Sequence, residues 1–254
     1  MQINTNFSSP NYSPRSQPVE YIMVHFTEML FEEALEKLTD EKSKVSAHYL
    51  IKEDGEIFQL VSDDYIAWHA GKSLWHGKTA LNENSIGIEL DNIGTCEFKE
   101  AQMNACIKLS KKLISKHNIN PRNFIGHSDV APDRKIDPGI FFDWELCAKN
   151  SLGIWHDIPC PTSSEILHNF GESGENIKNL QANLGKLGYT IKTTGIFDQQ
   201  TNFVVRAFQS KFYPHSILTK GVEYYFNQNS TYPWCSFSED ILKNMLGFGS
   251  TNIW

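Results

Sequence analysis

Two histidines, two carboxylates and a lysine stand where they could carry out metal-assisted hydrolysis. The stretch Gly126-His127-Ser128-Asp129-Val130-Ala131-Pro132-Asp133-Arg134-Lys135-Ile136-Asp137-Pro138-Gly139 packs a histidine, a lysine and a carboxylate into one loop punctuated by Pro and Gly. In extended chain Lys135 and Asp137 would lie on the same side, and Pro138 biases Asp137 towards extended backbone. Such a loop can offer two metal ligands and a cation. His25 follows the apolar run Tyr21-Ile22-Met23-Val24, and Glu89 lies within Ser85-Ile86-Gly87-Ile88-Glu89-Leu90. A carboxylate in so apolar a strand either pairs with something or has its pKa raised by desolvation. Two imidazoles and one carboxylate with an open fourth position make a catalytic zinc site; structural sites close with four protein ligands and favour thiolates. Zinc brings the pKa of its water to about 7 and polarises a carbonyl. Amide hydrolysis then needs a base and a cation for the oxyanion, and Glu89 and Lys135 are suitable types. Residue types and spacing leave blander alternatives standing: a core imidazole at His25 and a structural ion pair at Glu89. No compact HExxH-like signature joins the parts.

The elements that must position these residues show in the hydropathy pattern. Residues 21–26 read as a central strand, apolar on both faces. An amphipathic helix over 29–39 follows, with Leu30, Ala34 and Leu38 on one face. Residues 46–61 form a β-hairpin about Asp54-Gly55, a pair suited to the positive φ of a tight turn. Ala67-Trp68-His69-Ala70-Gly71 reads as a loop that either lines a cleft or simply packs. In 84–90, Ile86, Ile88 and Leu90 face one way while Gly87 and Glu89 face the other. A helix over 100–117 turns Met103, Ile107, Ser110 and Ile114 inward, and His117 near its C-terminus suits the helix dipole rather than a metal. A strand over 123–126 leads into the loop, and residues 141–144 begin a short closing helix. Strands alternating with helices across 21–147 indicate an α/β domain.

Around 156–175 the composition shifts to Pro, Ser, Gly and Glu, as in a linker. Beyond it Ile177, Leu180, Leu184 and Leu187 recur at helical spacing until Gly188, placed as a C-cap glycine. Residues 201–212 predict a second helix and 239–246 a third, while 214–237, rich in Tyr, Asn and Ser, is the least readable block. The expected division is a tail over 1–20, a catalytic domain over 21–157, a linker over 158–175 and a helical domain over 176–254. A chain of 254 residues suits one medium domain and one small one, and 40% hydrophobic with 21% charged residues is an ordinary globular composition. A net charge of −7 argues against a nucleic-acid surface. No window approaches the roughly 20 apolar residues of an integral membrane segment, and residues 1–20 hold no signal-peptide core. The cysteines at 96, 106, 147, 160 and 235 are scattered without a CxxC and read as free thiols.

Several strings occur in order: Val24-His25-Phe26-Thr27, Ser46-Ala47-His48-Tyr49-Leu50-Ile51, Ala67-Trp68-His69-Ala70-Gly71, Ser85-Ile86-Gly87-Ile88-Glu89-Leu90-Asp91-Asn92, and Gly126 to Pro132 continuing through Lys135-Ile136-Asp137-Pro138-Gly139. Together they resemble the zinc-dependent N-acetylmuramoyl-L-alanine amidases of the type 2 family over about residues 20–147. Leu180-Gln181, Leu184, Leu187-Gly188-Tyr189, Gly195, Phe197-Asp198, Thr201 and Ala207-Phe208-Gln209 resemble the three-helix peptidoglycan-binding domain, although 214–237 is longer and more aromatic than the usual turn there. The pairing is similar to the two-domain branch of these amidases. The resemblance implies a central mixed β-sheet flanked by helices, the fold shared with peptidoglycan-recognition proteins, plus a small three-helix C-terminal domain. It implies one Zn2+ held by His25, His127 and Asp137, with Glu89 as general base and Lys135 stabilising the oxyanion. Trp68, His69 and Asn84 fall in cleft-lining motifs, as substrate contacts or supports, and His48 is expected to support rather than ligate. Some relatives carry a catalytic tyrosine before the hairpin histidine; here that place is Ala47, so this chain would rely on Glu89. The implied reaction cleaves the amide between N-acetylmuramic acid and L-alanine in peptidoglycan or muropeptides. A zinc peptidase acting on the stem peptide and a non-catalytic peptidoglycan-recognition protein are the competing readings. The domain pairing points to the bacterial cell envelope or periplasm, while the lack of a signal peptide and the odd cysteine count suit the cytoplasm.

Overall fold

The computed structural model describes residues 2–247, so the last part of the expected helical domain lies outside the described residues. Contacts divide the chain into two compact units, one of Met1–Ser73, Thr79–His127 and Asp137–Ile154, the other of Leu74–Lys78, Ser128–Ile136 and Trp155–Trp254. In chain order the first 150 residues run β1 (Tyr12–Pro14), β2 (Tyr21–Phe26), α1 (Phe31–Thr39), β3 (Tyr49–Ile51), β4 (Ile57–Gln59), β5 (Tyr65–Ala67), β6 (Leu74–Trp75), β7 (Lys78–Thr79), β8 (Ser85–Leu90), α2 (Glu100–His117), β9 (Phe124–Gly126), α3 (His127–Val130) and α4 (Trp144–Lys149).

The first unit is built on a five-stranded sheet of order β4-β3-β8-β2-β9. It is mixed: β2 runs parallel to both β8 and β9, β3 is parallel to β8, and β4 closes the edge antiparallel to β3. Every residue of β2 is buried, as expected of a parallel strand covered on both faces. The β3–β4 hairpin turns at Gly55, whose φ is +89°, and a Cβ there would lie 2.8 Å from the Ala101 carbonyl oxygen. Glycine thus serves both the turn and its close approach to the start of α2. On the other side of the hairpin Phe31 and Leu38 of α1 pack with Ala47, Leu50, Phe58 and Leu60.

Residues 2–20 belong to this unit. β1 pairs antiparallel with β5, and the Arg15 guanidinium donates to the carbonyl oxygens of Asp63, Tyr65, Glu83 and Ser85. At the far end of α2, His117 does something the dipole argument did not anticipate. The left-handed C-cap is Asn118, at φ 54°, and His117 Nε2 instead meets the buried Asp63 carboxylate at 2.9 Å, beside Lys116 Nζ and the Tyr49 hydroxyl at 2.7 Å each. A nearby carboxylate is a stronger partner than the partial charge of a helix end.

In the second unit β10 (Ile166–His168), α5 (Glu175–Leu187), α6 (Gln199–Phe212), α7 (His215–Leu218), α8 (Val222–Phe226), β11 (Trp234–Cys235) and α9 (Ser236–Met245) follow in order. The three expected helices are α5, α6 and α9. α5 stops at Gly188, with φ +127°, and α6 is capped by the Asp198 carboxylate accepting from Thr201 N–H at 2.9 Å. The block 214–237 contributes aromatic side chains to the core: Tyr225, Tyr232 and Trp234 are fully buried. Its last strand, β11, pairs antiparallel with β10, which lies inside the stretch expected to be a linker.

Candidate metal centre

Register brings the candidate residues together. His25, near the end of β2, is directly opposite Glu89 of β8, and cross-strand partners share a face of the sheet. His127 follows β9, whose Gly126 is opposite Val24. The chain after His127 returns at Asp137, so neighbouring strands and one loop deliver the three side chains to one end of the sheet. His25 Nδ1 lies 2.8 Å from Asp137 Oδ2 and 3.0 Å from His127 Nδ1, and His127 Nδ1 lies 3.0 Å from the same Asp137 oxygen. All three residues are buried. The Asp137–Pro138 peptide is cis.

The donor set fits a metal ion. His127 Nε2 is 3.0 Å from the Ala70 carbonyl oxygen, which can only accept, so that nitrogen carries the proton and Nδ1 turns a lone pair inward. His25 presents Nδ1 to the cluster while its Nε2 lies 3.0 Å from His69 Nδ1. Two imidazole nitrogens and a carboxylate oxygen therefore converge in a buried place where acceptors alone would repel. A cation relieves that, and a three-ligand N/O set without thiolate is the catalytic zinc pattern.

The remaining candidates separate by position. Glu89 is half-buried on the ligand face of β8. Lys135 is half-buried in the second unit, and its segment turns instead of running extended: Arg134 and Lys135 N–H both return to the Ala131 carbonyl, at 3.1 and 3.0 Å. Same-side placement by strand alternation therefore does not apply to Lys135 and Asp137. His69 reaches His25 directly. Trp68 lies next to it, but its indole N–H donates to Ser13 Oγ at 3.0 Å. Asn84 sits just before β8, its amide donating to Glu20 at 3.0 Å; five residues of strand put it about 16 Å along the chain from Glu89. His48 is fully buried, accepts the Gly87 N–H on Nδ1 at 3.0 Å and meets the Tyr65 carbonyl through Nε2 at 3.1 Å. Two residues that the sequence reading gave no role also belong to this neighbourhood, Asn82 and Ser85. Their bonds to the His69 segment follow from where the chain folds back, which residue type does not announce.

Comparison with known proteins places the chain in a family. The N-acetylmuramoyl-L-alanine amidase family profile matches residues 15–140, and a putative peptidoglycan binding domain profile matches residues 173–215. The N-acetylmuramoyl-L-alanine amidase AmiD of Escherichia coli is 34% identical over 235 residues, covering 84% of this chain and 80% of that protein. The chain belongs to the N-acetylmuramoyl-L-alanine amidase family. A solved complex of Escherichia coli AmiD with the substrate anhydro-N-acetylmuramic acid-L-Ala-D-γ-Glu-L-Lys is similar with a TM-score of 0.72 at 29% identity, covering 96% of this chain and 93% of that one. The 1,6-anhydro-N-acetylmuramyl-L-alanine amidase AmpD of Escherichia coli is 46% identical over 101 residues, which is 40% of this amidase and 55% of AmpD. Among the described residues no helix is long and apolar enough to cross a membrane.

Proposed function

We propose that this amidase is a zinc hydrolase of the cell envelope that cleaves the amide between N-acetylmuramic acid and L-alanine in muropeptides or peptidoglycan. The observation that carries the reading is the convergence of His25, His127 and Asp137, with ligand atoms all within 4.8 Å of one another, in a chain of the amidase family. Zinc bound there would activate water and polarise the scissile carbonyl. Glu89, opposite His25 in the sheet, takes the proton of the attacking water and returns it to the leaving amine nitrogen of L-alanine. Lys135 supplies positive charge to the oxyanion that the carbonyl becomes. The putative peptidoglycan binding domain match over residues 173–215 supports a wall-derived substrate and an envelope location.

Metal analysis and digestion of anhydro-muropeptides, read by mass spectrometry, test the proposal. We expect one zinc per chain, release of a peptide with free N-terminal L-alanine, and loss of both metal and activity in His127→Ala. Cleavage inside the stem peptide would identify a peptidase instead, and a zinc-free preparation that binds muropeptides without cutting them would identify a recognition protein.

A further inference from the structure

We infer that the dipeptide His69-Ala70, held by Asn82 and Ser85, sets the tautomers of both histidine ligands, which makes His69 a positioning residue for His25. The inference rests on the reading of His25, His127 and Asp137 as the zinc site. The argument runs from a backbone carbonyl inward. Ser85 Oγ lies 2.5 Å from the Leu81 carbonyl oxygen. A carbonyl only accepts, so the single serine proton is spent there and Ser85 can only accept from its other side. His69 Nε2 lies 3.2 Å from Ser85 Oγ and must therefore carry the His69 proton. His69 Nδ1 is then a bare acceptor, 3.0 Å from His25 Nε2. The His25 proton is drawn to Nε2, and His25 Nδ1 is left with its lone pair towards His127 and Asp137. Polarity fixed at Leu81 thus propagates through Ser85 and His69 to the ligand atom.

The adjacent residue does the same for the other imidazole, since the Ala70 carbonyl receives the His127 Nε2 proton at 3.0 Å. One side-chain oxygen holds the segment that performs both tasks: Asn82 Oδ1 accepts the backbone N–H of His69 at 3.1 Å and of Ala70 at 2.7 Å. Strand β8 is adapted to it as well. A Cβ at Gly87 would lie 2.5 Å from His69 Cγ, so the missing side chain is the space the ring occupies. Ser85, Gly87 and Glu89 alternate along one face of β8, and in turn anchor the ring, make room for it and face the ligand beyond it.

Zinc affinity by chelator competition on the full chain, together with 15N NMR of the histidine tautomers, tests the inference. Gln at position 69 can accept with its oxygen and donate with its nitrogen, whereas Leu can do neither. We expect His69→Gln to bind zinc close to wild type and His69→Leu to lose about 10–100-fold in affinity, the usual cost of removing a ligand's supporting partner. NMR should show His69 protonated on Nε2 in the wild type. Equal zinc affinity in His69→Leu and wild type would overturn the inference, as would a proton on His69 Nδ1. A loss in His69→Gln as large as in His69→Leu would overturn the polarity argument in favour of ring packing. Should His69→Leu not fold, Ser85→Ala removes the anchor and keeps the ring; weakened zinc binding is expected, and unchanged binding overturns the inference. A wild-type chain that binds no zinc would count against the zinc reading itself, and the His69 tautomer would still decide the relay.

Discussion

A carboxylate one strand away from the proposed ligand His25 is well placed to handle protons, and a carboxamide of the same shape is not. Glu89→Gln should therefore keep its zinc and lose about 10²–10⁴-fold in kcat, measured on muropeptides with metal content checked in parallel; near-normal turnover would remove Glu89 from the proton path. His48 makes a different prediction. Burial, above all, pushes its pKa down to about 3 from the ordinary 6.5, so it is neutral in the native state. Below pH 6.5 the unfolded chain takes up the proton first, and stability falls with pH across the window from 6.5 to about 3. Between pH 7 and 5 this one imidazole should cost about 2 kcal/mol. Urea unfolding at the two pH values should show a drop that shrinks in His48→Gln, and an unchanged drop would place the pH dependence elsewhere. His25 and Glu89 stand out as candidates because an imidazole and a carboxylate in apolar strands are conspicuous, while the full set with His127 and Asp137 comes from the family resemblance. Asn82 and Ser85 do not stand out, since such residues are common near turns for local reasons and acquire a role only from register.

Long, strongly patterned elements form where hydropathy places them: α2 spans Glu100–His117, and β2 spans Tyr21–Phe26. Strand order is another matter. The β4-β3-β8-β2-β9 arrangement depends on parallel pairing between distant segments, which period alone does not encode. Short elements escape for a related reason: β10 and β11 have too few residues to display alternation, and an aromatic-rich segment reads the same whether it is exposed or forms a core. The contact of His117 with Asp63 shows what register adds. Asp63 joins the end of α2 to β3 through Lys116, His117 and Tyr49. Burial would raise its pKa, yet these donors together hold it below the ordinary carboxylate value, so this contribution is present at neutral pH and lost only as pH falls through that lowered value. Asp63→Ala should cost about 1–3 kcal/mol, chiefly by leaving the Tyr49 hydroxyl without its acceptor. The half-exposed Lys116 adds little. Chemical denaturation at pH 7 measures the loss, and stability equal to wild type would show that the cluster is neutral in net effect.

At the scale of the whole chain, compact units do not follow sequence order, because Leu74–Lys78 and Ser128–Ile136 group with the C-terminal residues. The bonds within that unit explain why. Lys211 Nζ meets Asp129 Oδ2 at 2.6 Å, the Tyr189 hydroxyl donates to the other Asp129 oxygen at 3.0 Å, Arg206 donates to the Pro132 carbonyl at 2.7 Å, and the Tyr225 hydroxyl donates to the Ile136 carbonyl at 2.7 Å. A cut at the expected linker would therefore strip the segment that carries Lys135 of partners on α6 and α8. The ion pair is the strongest test of this organisation, since the side chains of Lys211 and Asp129 are 4% and 1% exposed. Removing one member of a buried pair costs about 3–5 kcal/mol, while replacing both by groups of similar shape costs far less. For a chain of this size each kcal/mol lowers Tm by about 2–4 °C. Lys211→Met alone should then lower Tm by roughly 10 °C, and Asp129→Asn combined with Lys211→Met should recover much of the loss. Calorimetry on the two variants decides: a Lys211→Met chain melting with the wild type would mean that Asp129 finds equal compensation without its lysine, and that the segment is held by its backbone carbonyl bonds instead.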